Sequence, residues 1–293
     1  MVFGNWQVDL LETGRFKLDG GAMFGVVPKN LWKKNNPPDE LNRIDMTMRS
    51  LCLRRDDRVI IVDTGVGHKE SEKFAQIFAI DFSAFSLVSG LSRLGIEAAD
   101  VTDVILTHLH FDHAGGSVTR TGADLSLTFP NATHYVQRRH WEWAMNPSDR
   151  DRASFLPDNY MPLQDAGRLQ LLDGDENIFD DLALDIVNGH TFGQQLVRVQ
   201  GHGRSLLYTG DLVPMSAHVP GAWIMGYDLQ PLLTLEEKNT LLARAASNGD
   251  ILIFEHDPLV EAATVESTEK GFRLGRYGTL EQLLSSTPHD SPE

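Results

Sequence analysis

Three histidines and one aspartate fall within six positions of the stretch THLHFDHAGG, Thr107 to Gly116. Imidazole suits zinc, iron and related metals, and an added carboxylate allows a harder site that retains water. His108 and His110 lie two apart, so in extended backbone they project from the same side and could share one ion. Asp112 and His113 follow where the chain must already be turning, so they could point to a second position beside the first. Ala114, Gly115 and Gly116 would let backbone approach closely there. Polar side chains this hard to bury, directly after the apolar run Val104, Ile105 and Leu106, read as a metal site on the loop that ends a strand.

The elements that must position such a site repeat one theme, an apolar strand followed by a metal-capable side chain. Strand-like Leu182 to Val187 runs into His190, Ser205 to Tyr208 into Asp211, and Ile251 to Phe254 into His256. Val59 to Val62 ends in Asp63, which is either a turn former or a carboxylate that orients a ligand histidine. Groups drawn from one edge of packed sheets can converge, and strand ends hold them rigidly.

Other elements follow from periodicity. Trp6 to Leu18 and Met46 to Leu53 read as strands, with a charged hairpin at 54–58 before Val59. Apolar spacings of three and four predict helix over Ser71 to Leu94, interrupted near Asp81. A short strand, His134 to Val136, precedes a helix over Arg138 to Met145, and Asn146 to Asp165 reads as a surface excursion. Leu169 to Leu172 is a strand, followed by an acidic run, DGDENIFDD, whose spacing fits a solvated turn better than a calcium loop. Gln195 to Val199 and Ser205 to Tyr208 flank a hairpin at GHGR. Thr234 and Glu237 stand at capping-box spacing for a helix over Leu235 to Ala246. A polar tail begins at Ser285 and is expected to fray. Between Ala22 and Ile44, Met23, Phe24 and Trp32 mix with Pro28, Pro37 and Pro38, so this stretch is no long regular element. It is a lid on a pocket, a subunit contact or a plug at the core edge.

The 293 residues and 41% apolar content suit one large domain or two small ones. Acidic residues outnumber basic ones 41 to 26, a formal charge of −15, which disfavours nucleic acid and anionic membrane as partners. The single cysteine, Cys52, excludes an internal disulfide or a cysteine-rich metal site and is expected buried and inert. No signal-peptide pattern or membrane-length apolar run is seen, so a cytoplasmic location is expected. His68, His134, His140, His202 and His289 read as surface or partly buried residues, with His218 open to either reading.

At these residues the chain resembles the metallo-β-lactamase superfamily. The HxHxDH pattern at His108, His110, Asp112 and His113 is followed in order by NGHT with His190, YTGD with Asp211 and FEHD with His256. The resemblance implies an α/β fold, a four-layer αβ/βα sandwich with two mixed β-sheets, as one domain over 1–293 with an insertion around 20–44 that covers the pocket. It implies two divalent metal ions, zinc first and iron, cobalt or manganese as substitutes. His108, His110 and His190 would hold one, Asp112, His113 and His256 the other, and Asp211 would bridge them with Asp63 in support.

Within the superfamily the wording resembles the lactonase and esterase branch typified by N-acyl-homoserine lactone lactonases. That implies a hydroxide bridging the metals and opening a lactone or ester, with Asp112 as the catalytic proton carrier. Those lactonases carry a tyrosine shortly after the bridging aspartate and TPGH after the third histidine. Here Leu212, Val213 and Pro214 follow Asp211, and the other stretch reads Thr191, Phe192, Gly193, Gln194. Candidates for the substrate pocket are Met23, Phe24, Trp32, His218, Trp223, Met225 and Tyr227. A phosphotriesterase or aryl esterase is the nearest alternative, then a glyoxalase II-like thiolesterase, a mono-iron persulfide dioxygenase, or a metal-stabilised binding protein without turnover. The expected partner is a small ester or lactone, and a homodimer is a further expectation.

Overall fold

The computed structural model describes residues 1–174 and 178–285. The tail beyond Ser285, with His289, and residues 175–177 of the acidic turn lie outside the described residues. Period-two apolar segments form two large sheets. The first contains β1 (Val2–Phe3), β2 (Trp6–Asp19), β3 (Arg43–Arg55), β4 (Arg58–Val62) and β5 (Asp103–Ile105). Past a small hairpin of β6 (Val118–Thr121) and β7 (Asp124–Leu127), it adds β8 (Thr133–Gln137) and β9 (Leu169–Leu172). Neighbours are antiparallel from β1 to β4 and parallel from β4 through β5 and β8 to β9.

The second sheet is ordered as the chain runs: β10 (Leu182–Val187), β11 (Gln194–Gly201), β12 (Arg204–Tyr208), β13 (Ile251–Ile253), β14 (Ala262–Thr268) and β15 (Gly271–Gly278). Only the pairing of β12 with β13 is parallel. Short helices α1 (Gly20–Phe24), α2 (Lys29–Trp32), α3 (Glu72–Ile77), α4 (Leu87–Arg93), α5 (Phe111–Ala114), α6 (Arg138–Met145) and α7 (Met161–Asp165) lie along the first half. The longer α8 (Pro231–Asn248) and a terminal α9 (Leu280–Ser285) belong to the second.

Strand alternation sets the layers. Leu51, Leu53, Ile60 and Val62 point between the sheets and meet Val197, Val199, Leu206, Tyr208, Ile251 and Ile253. Their sequence neighbours Cys52 and Ile61 turn outward onto Leu87 and Leu91 of α4, together with Trp141 of α6. Leu207 and Leu252 turn outward onto Leu241, Leu242 and Ala245 of α8. Strands buried on both faces read as continuous apolar runs. The result is the expected αβ/βα sandwich of two mixed sheets.

The helix expected over Ser71 to Leu94 is interrupted near Asp81, as read, into α3 and α4, because residues 78–86 are captured by the edge of β2: Arg15 and Asp81 exchange backbone hydrogen bonds at 2.9 and 2.8 Å, and Lys17 N donates to Phe78 O. Two local expectations need correction. α8 starts at Pro231, so Thr234 lies inside it and is no cap. The Asn146 to Asp165 stretch folds back onto the core through Phe155, Tyr160 and Leu163, all buried. After His256 come β14, β15 and α9, which complete the second half. Among the described residues no helix is long and apolar enough to cross a membrane.

Parallel pairing of β4 with β5, and of β12 with β13, brings the C-terminal ends of four strands to one edge of the sandwich. Hydrogen bonds fasten the sheets there. Gln195 Nε2 donates to Leu106 O at 2.8 Å and Tyr135 O at 3.0 Å, and Tyr208 Oη donates to Arg49 O at 2.6 Å.

Candidate metal centre

The loop after β5 carries its side chains where the sheets meet. His110 immediately precedes α5, a single turn that presents Asp112 and His113. The turn is pressed against the loop after β4: a Cβ on Gly115 would sit 2.2 Å from Val66 O, and one on Gly116 would sit 2.1 Å from Thr64 O. Only glycine permits that approach.

Two groups of ligand atoms result. In the first, His108 Nε2 lies 2.9 Å and His190 Nε2 3.2 Å from His110 Nδ1, with Asp211 beside them. In the second, His113 Nε2 and His256 Nε2 are 3.2 Å apart, with Asp112 Oδ2 at 3.8 and 3.7 Å. Asp211 faces both. Its Oδ2 is 3.2 Å from His190 Nε2 and 3.8 Å from His108 Nε2, and its Oδ1 is 3.1 Å from His256 Nε2 and 3.6 Å from His113 Nε2. These residues fit divalent ions: imidazole nitrogens aimed at one another at such distances present converging lone pairs, and Asp211 Oδ1 is buried without a hydrogen-bond partner. A nitrogen and oxygen donor set of this kind suits zinc and its neighbours.

Supporting groups grip the other ring nitrogens, as metal-binding histidines usually require. Asp63, held in the left-handed region at φ 55°, accepts from Thr107 N and Thr107 Oγ1 at 2.7 Å and lies 3.1 Å from His113 Nδ1. Such a backbone costs on the order of 1–3 kcal/mol in a non-glycine residue. Sequence reasoning missed Asp228, 2.9 Å from His190 Nδ1, and Glu255, 3.1 Å from His113 Nδ1. It also read His140 as peripheral. The ring is fully buried, accepts from Leu109 N at 2.8 Å and donates to Phe192 O at 2.8 Å, and so braces the loops of His108 and His190. Glu237, expected to cap α8, instead accepts from Asn188 N and Gly189 N at 2.8 and 2.9 Å, directly before His190.

Charge is distributed unevenly. For His108 and His110, burial and neighbouring histidines hold proton affinity well below the ordinary range. At His113 burial opposes the charge, yet the carboxylates of Glu255, Asp211 and Asp112 raise its pKa well above the ordinary value. His256 is pushed up to about 9, with Asp211 and Glu255 outweighing burial. Asp211, although buried, is held well below the carboxylate range by His113, His190 and His256. Burial, with Asp63, pushes Glu255 up to about 8 against the pull of His113 and His256, so the negative charge it holds behind the second group depends on the positive charge facing it.

An apolar wall flanks the centre. Met23, Phe24, Trp32 and Met225 are buried in one cluster with Phe111 and Val66, and Trp223 packs against it. Phe24 stacks between Trp32, 5.2 Å away, and His218, 5.0 Å away. His218 Nε2 donates to Met23 O at 2.8 Å, which makes it a strut between the loop after Asp211 and the 20–44 segment. Tyr227 stands at the rim, 39% exposed, and burial with the charges of Asp19 and Asp112 pushes its phenol up to about 12. Phe155, absent from the sequence reading, packs its ring 4.8 Å from that of His110. Cys52 is buried, and burial pushes its thiol up to about 12, as an inert thiol requires.

Two sheets with helices outside and a histidine–aspartate centre at one edge define the class. Residues 50–256 match the metallo-beta-lactamase superfamily, and the chain belongs to that superfamily. The chain is 32% identical over 179 residues to N-acyl homoserine lactonase AttM of Azorhizobium caulinodans, covering 58% of this chain and 64% of that relative. It therefore spans just under two thirds of that relative's length. A probable metal-dependent hydrolase from Staphylococcus aureus superposes with a TM-score of 0.87 at 28% identity, over 96% of this chain and 99% of that one. AidC, a dizinc quorum-quenching lactonase in complex with its product, superposes with a TM-score of 0.79 at 20% identity, over 96% and 97%.

Proposed function

We propose that the chain, read as one domain with the 20–44 segment covering the pocket, is a two-metal hydrolase that opens lactones or related esters. One observation carries the reading: the single carboxylate of Asp211 faces two ligand groups, with one oxygen toward each. The lactonase names of its relatives support the same reaction class. Two divalent ions, zinc foremost, would supply Lewis acidity toward the scissile carbonyl and a nucleophile at neutral pH.

The chain's own residues would do the rest. His108, His110 and His190 would hold one ion and Asp112, His113 and His256 the other, with Asp211 shared. Asp112, 6% exposed, would take a proton from the attacking water and pass it to the leaving alkoxide. Met23, Phe24, Trp32 and Met225, buried in one cluster, exclude water, and the half-buried Trp223 packed on them receives the apolar part of the substrate. Tyr227 at the rim offers the only pocket phenol among the candidates, and His218 fixes the wall.

The test is a turnover panel of acyl-homoserine lactones, simple lactones, aryl esters, phosphotriesters and glutathione thiolesters, run on protein of measured metal content. Lactone or ester turnover with two ions per chain is the expected result. Turnover of the thiolester alone, or one iron per chain, overturns the reading. Asp211→Ala and His110→Ala should each abolish both metal uptake and turnover.

A further inference from the structure

Behind the second ligand group sits a carboxylate that the proposed chemistry leaves unused. Glu255 is 1% exposed, and its Oε1 lies 3.1 Å from His113 Nδ1, the nitrogen opposite the one that faces the metal position. Asp63 Oδ2 lies 3.1 Å from the same nitrogen. One N–H thus confronts two buried carboxylates. Asp63 is already served by Thr107 N and Thr107 Oγ1, whereas Glu255 Oε2 has no hydrogen-bond partner. The nearby guanidinium of Arg49 gives Nη1 and Nη2 to Phe254 O, Asp257 O and Glu12, and its ion pair is with Glu12 and not with Glu255.

Holding His113 in place needs only one acceptor, and Asp63 provides it. A second buried carboxylate is costly unless positive charge compensates it. The cationic position within reach of Glu255 is the one that His113 and His256 face. The first group differs, with Asp228 alone behind His190.

We propose that Glu255 is a positioning residue for the second metal ion: by sharing the His113 N–H with Asp63 it orients the imidazole and supplies the negative charge that retains that ion. The inference rests on the two-metal reading above. Loss of an outer partner of this kind weakens metal affinity about 10–100-fold.

The experiment is a competition titration of the purified protein with Zn2+ against a chromophoric chelator, paired with the absorption spectrum of Co2+ added at one and two equivalents. Glu255→Gln keeps an acceptor and removes the charge, Glu255→Ala removes both, and Glu255→Asp restores the charge on a shorter arm. Expected are two ions in the native protein, one ion weakened about 10–100-fold in E255Q and more in E255A, partial recovery in E255D, and an unchanged first ion throughout. If the native protein holds two ions and E255Q holds both with native affinity and an unaltered Co2+ spectrum, the role of Glu255 is overturned while the two-metal reading stands. If the native protein holds fewer than two ions, the two-metal reading itself falls and the proposal falls with it. Circular dichroism separates a variant that has failed to fold, and E255Q, of nearly native shape, decides where E255A does not fold.

Discussion

Asp228 Oδ1 lies 2.9 Å from Nδ1 of His190, a residue 38 positions earlier in the chain. The contact fixes which ring nitrogen turns toward the first ligand group. The loop of Tyr227 is anchored by the same bond.

Replacing Asp228 by Ala should therefore weaken the first ion about 10–100-fold, with Asp228→Asn less affected because the amide oxygen still accepts. Metal content after dialysis, read beside turnover, checks this. Native metal content in Asp228→Ala would show that His190 needs no such partner.

The bracing by His140 requires a neutral ring, since Nε2 accepts from Leu109 while Nδ1 donates to Phe192. Burial pushes its pKa down to about 4 from an ordinary 6.5, and His134 and His218 shift the same way to the same value. The unfolded chain binds protons in that window and the folded one does not, so the stabilisation is full above pH 6.5 and is lost as pH falls toward 4. Urea midpoints should decline over that range, and His140→Gln, able to accept and donate at similar places, should decline less steeply. His140→Leu should cost about 1–3 kcal/mol at pH 7 by stranding the Leu109 N–H.

Lys238, fully buried on α8, donates its ammonium to three carbonyls, His218 O at 3.1 Å, Pro220 O at 3.2 Å and Trp223 O at 2.7 Å. It ties the pocket wall to the helix. Lys238→Met should cost about 2–5 kcal/mol by leaving those carbonyls unpaired in the interior. Because the metal ligands lie elsewhere, KM should rise with acyl length more than kcat falls. A thermal melt and a KM series over chain length would detect both effects, and equal losses for every substrate would contradict the assignment.

Gly115→Ala places a methyl 2.2 Å from Val66 O. Either α5 or the loop after β4 must move, at a cost of about 1–3 kcal/mol, and Asp112 and His113 ride on that turn. Reduced retention of the second ion, seen by metal analysis, should accompany the lower melting temperature.

The proposed metal ligands were legible because each follows an apolar strand and each is hard to bury for any other reason. Their supporting partners were not. Asp228 and Glu255 each sit next to a familiar signal, yet their roles arise only when a ring's second nitrogen arrives from another strand. Glu237 misled for a related reason: its spacing from Thr234 satisfies a local helix-start rule, while its carboxylate actually serves a loop 48 residues earlier. The break read near Asp81 in the helix pattern over Ser71 to Leu94 spans residues 78–86 because hydrogen bonds offered by the edge of β2 outweigh propensity there. His140 resembled any polar residue on a short helix until the fold closed over it.

THLHFDHAGG announces metal chemistry by itself, because donor type and spacing are local properties that survive without a fold. The alternation of Leu51, Cys52 and Leu53, or of Ile60, Ile61 and Val62, likewise dictates two faces before any partner is known. Convergence is different. Asp211 can face His190 on one side and His256 on the other only because β12 and β13 run parallel and end together, beside the loop that β5 delivers from the opposite sheet. Distances of 3 to 4 Å between residues as far apart as 144 positions depend on sheet packing, and no local rule of the chain encodes them.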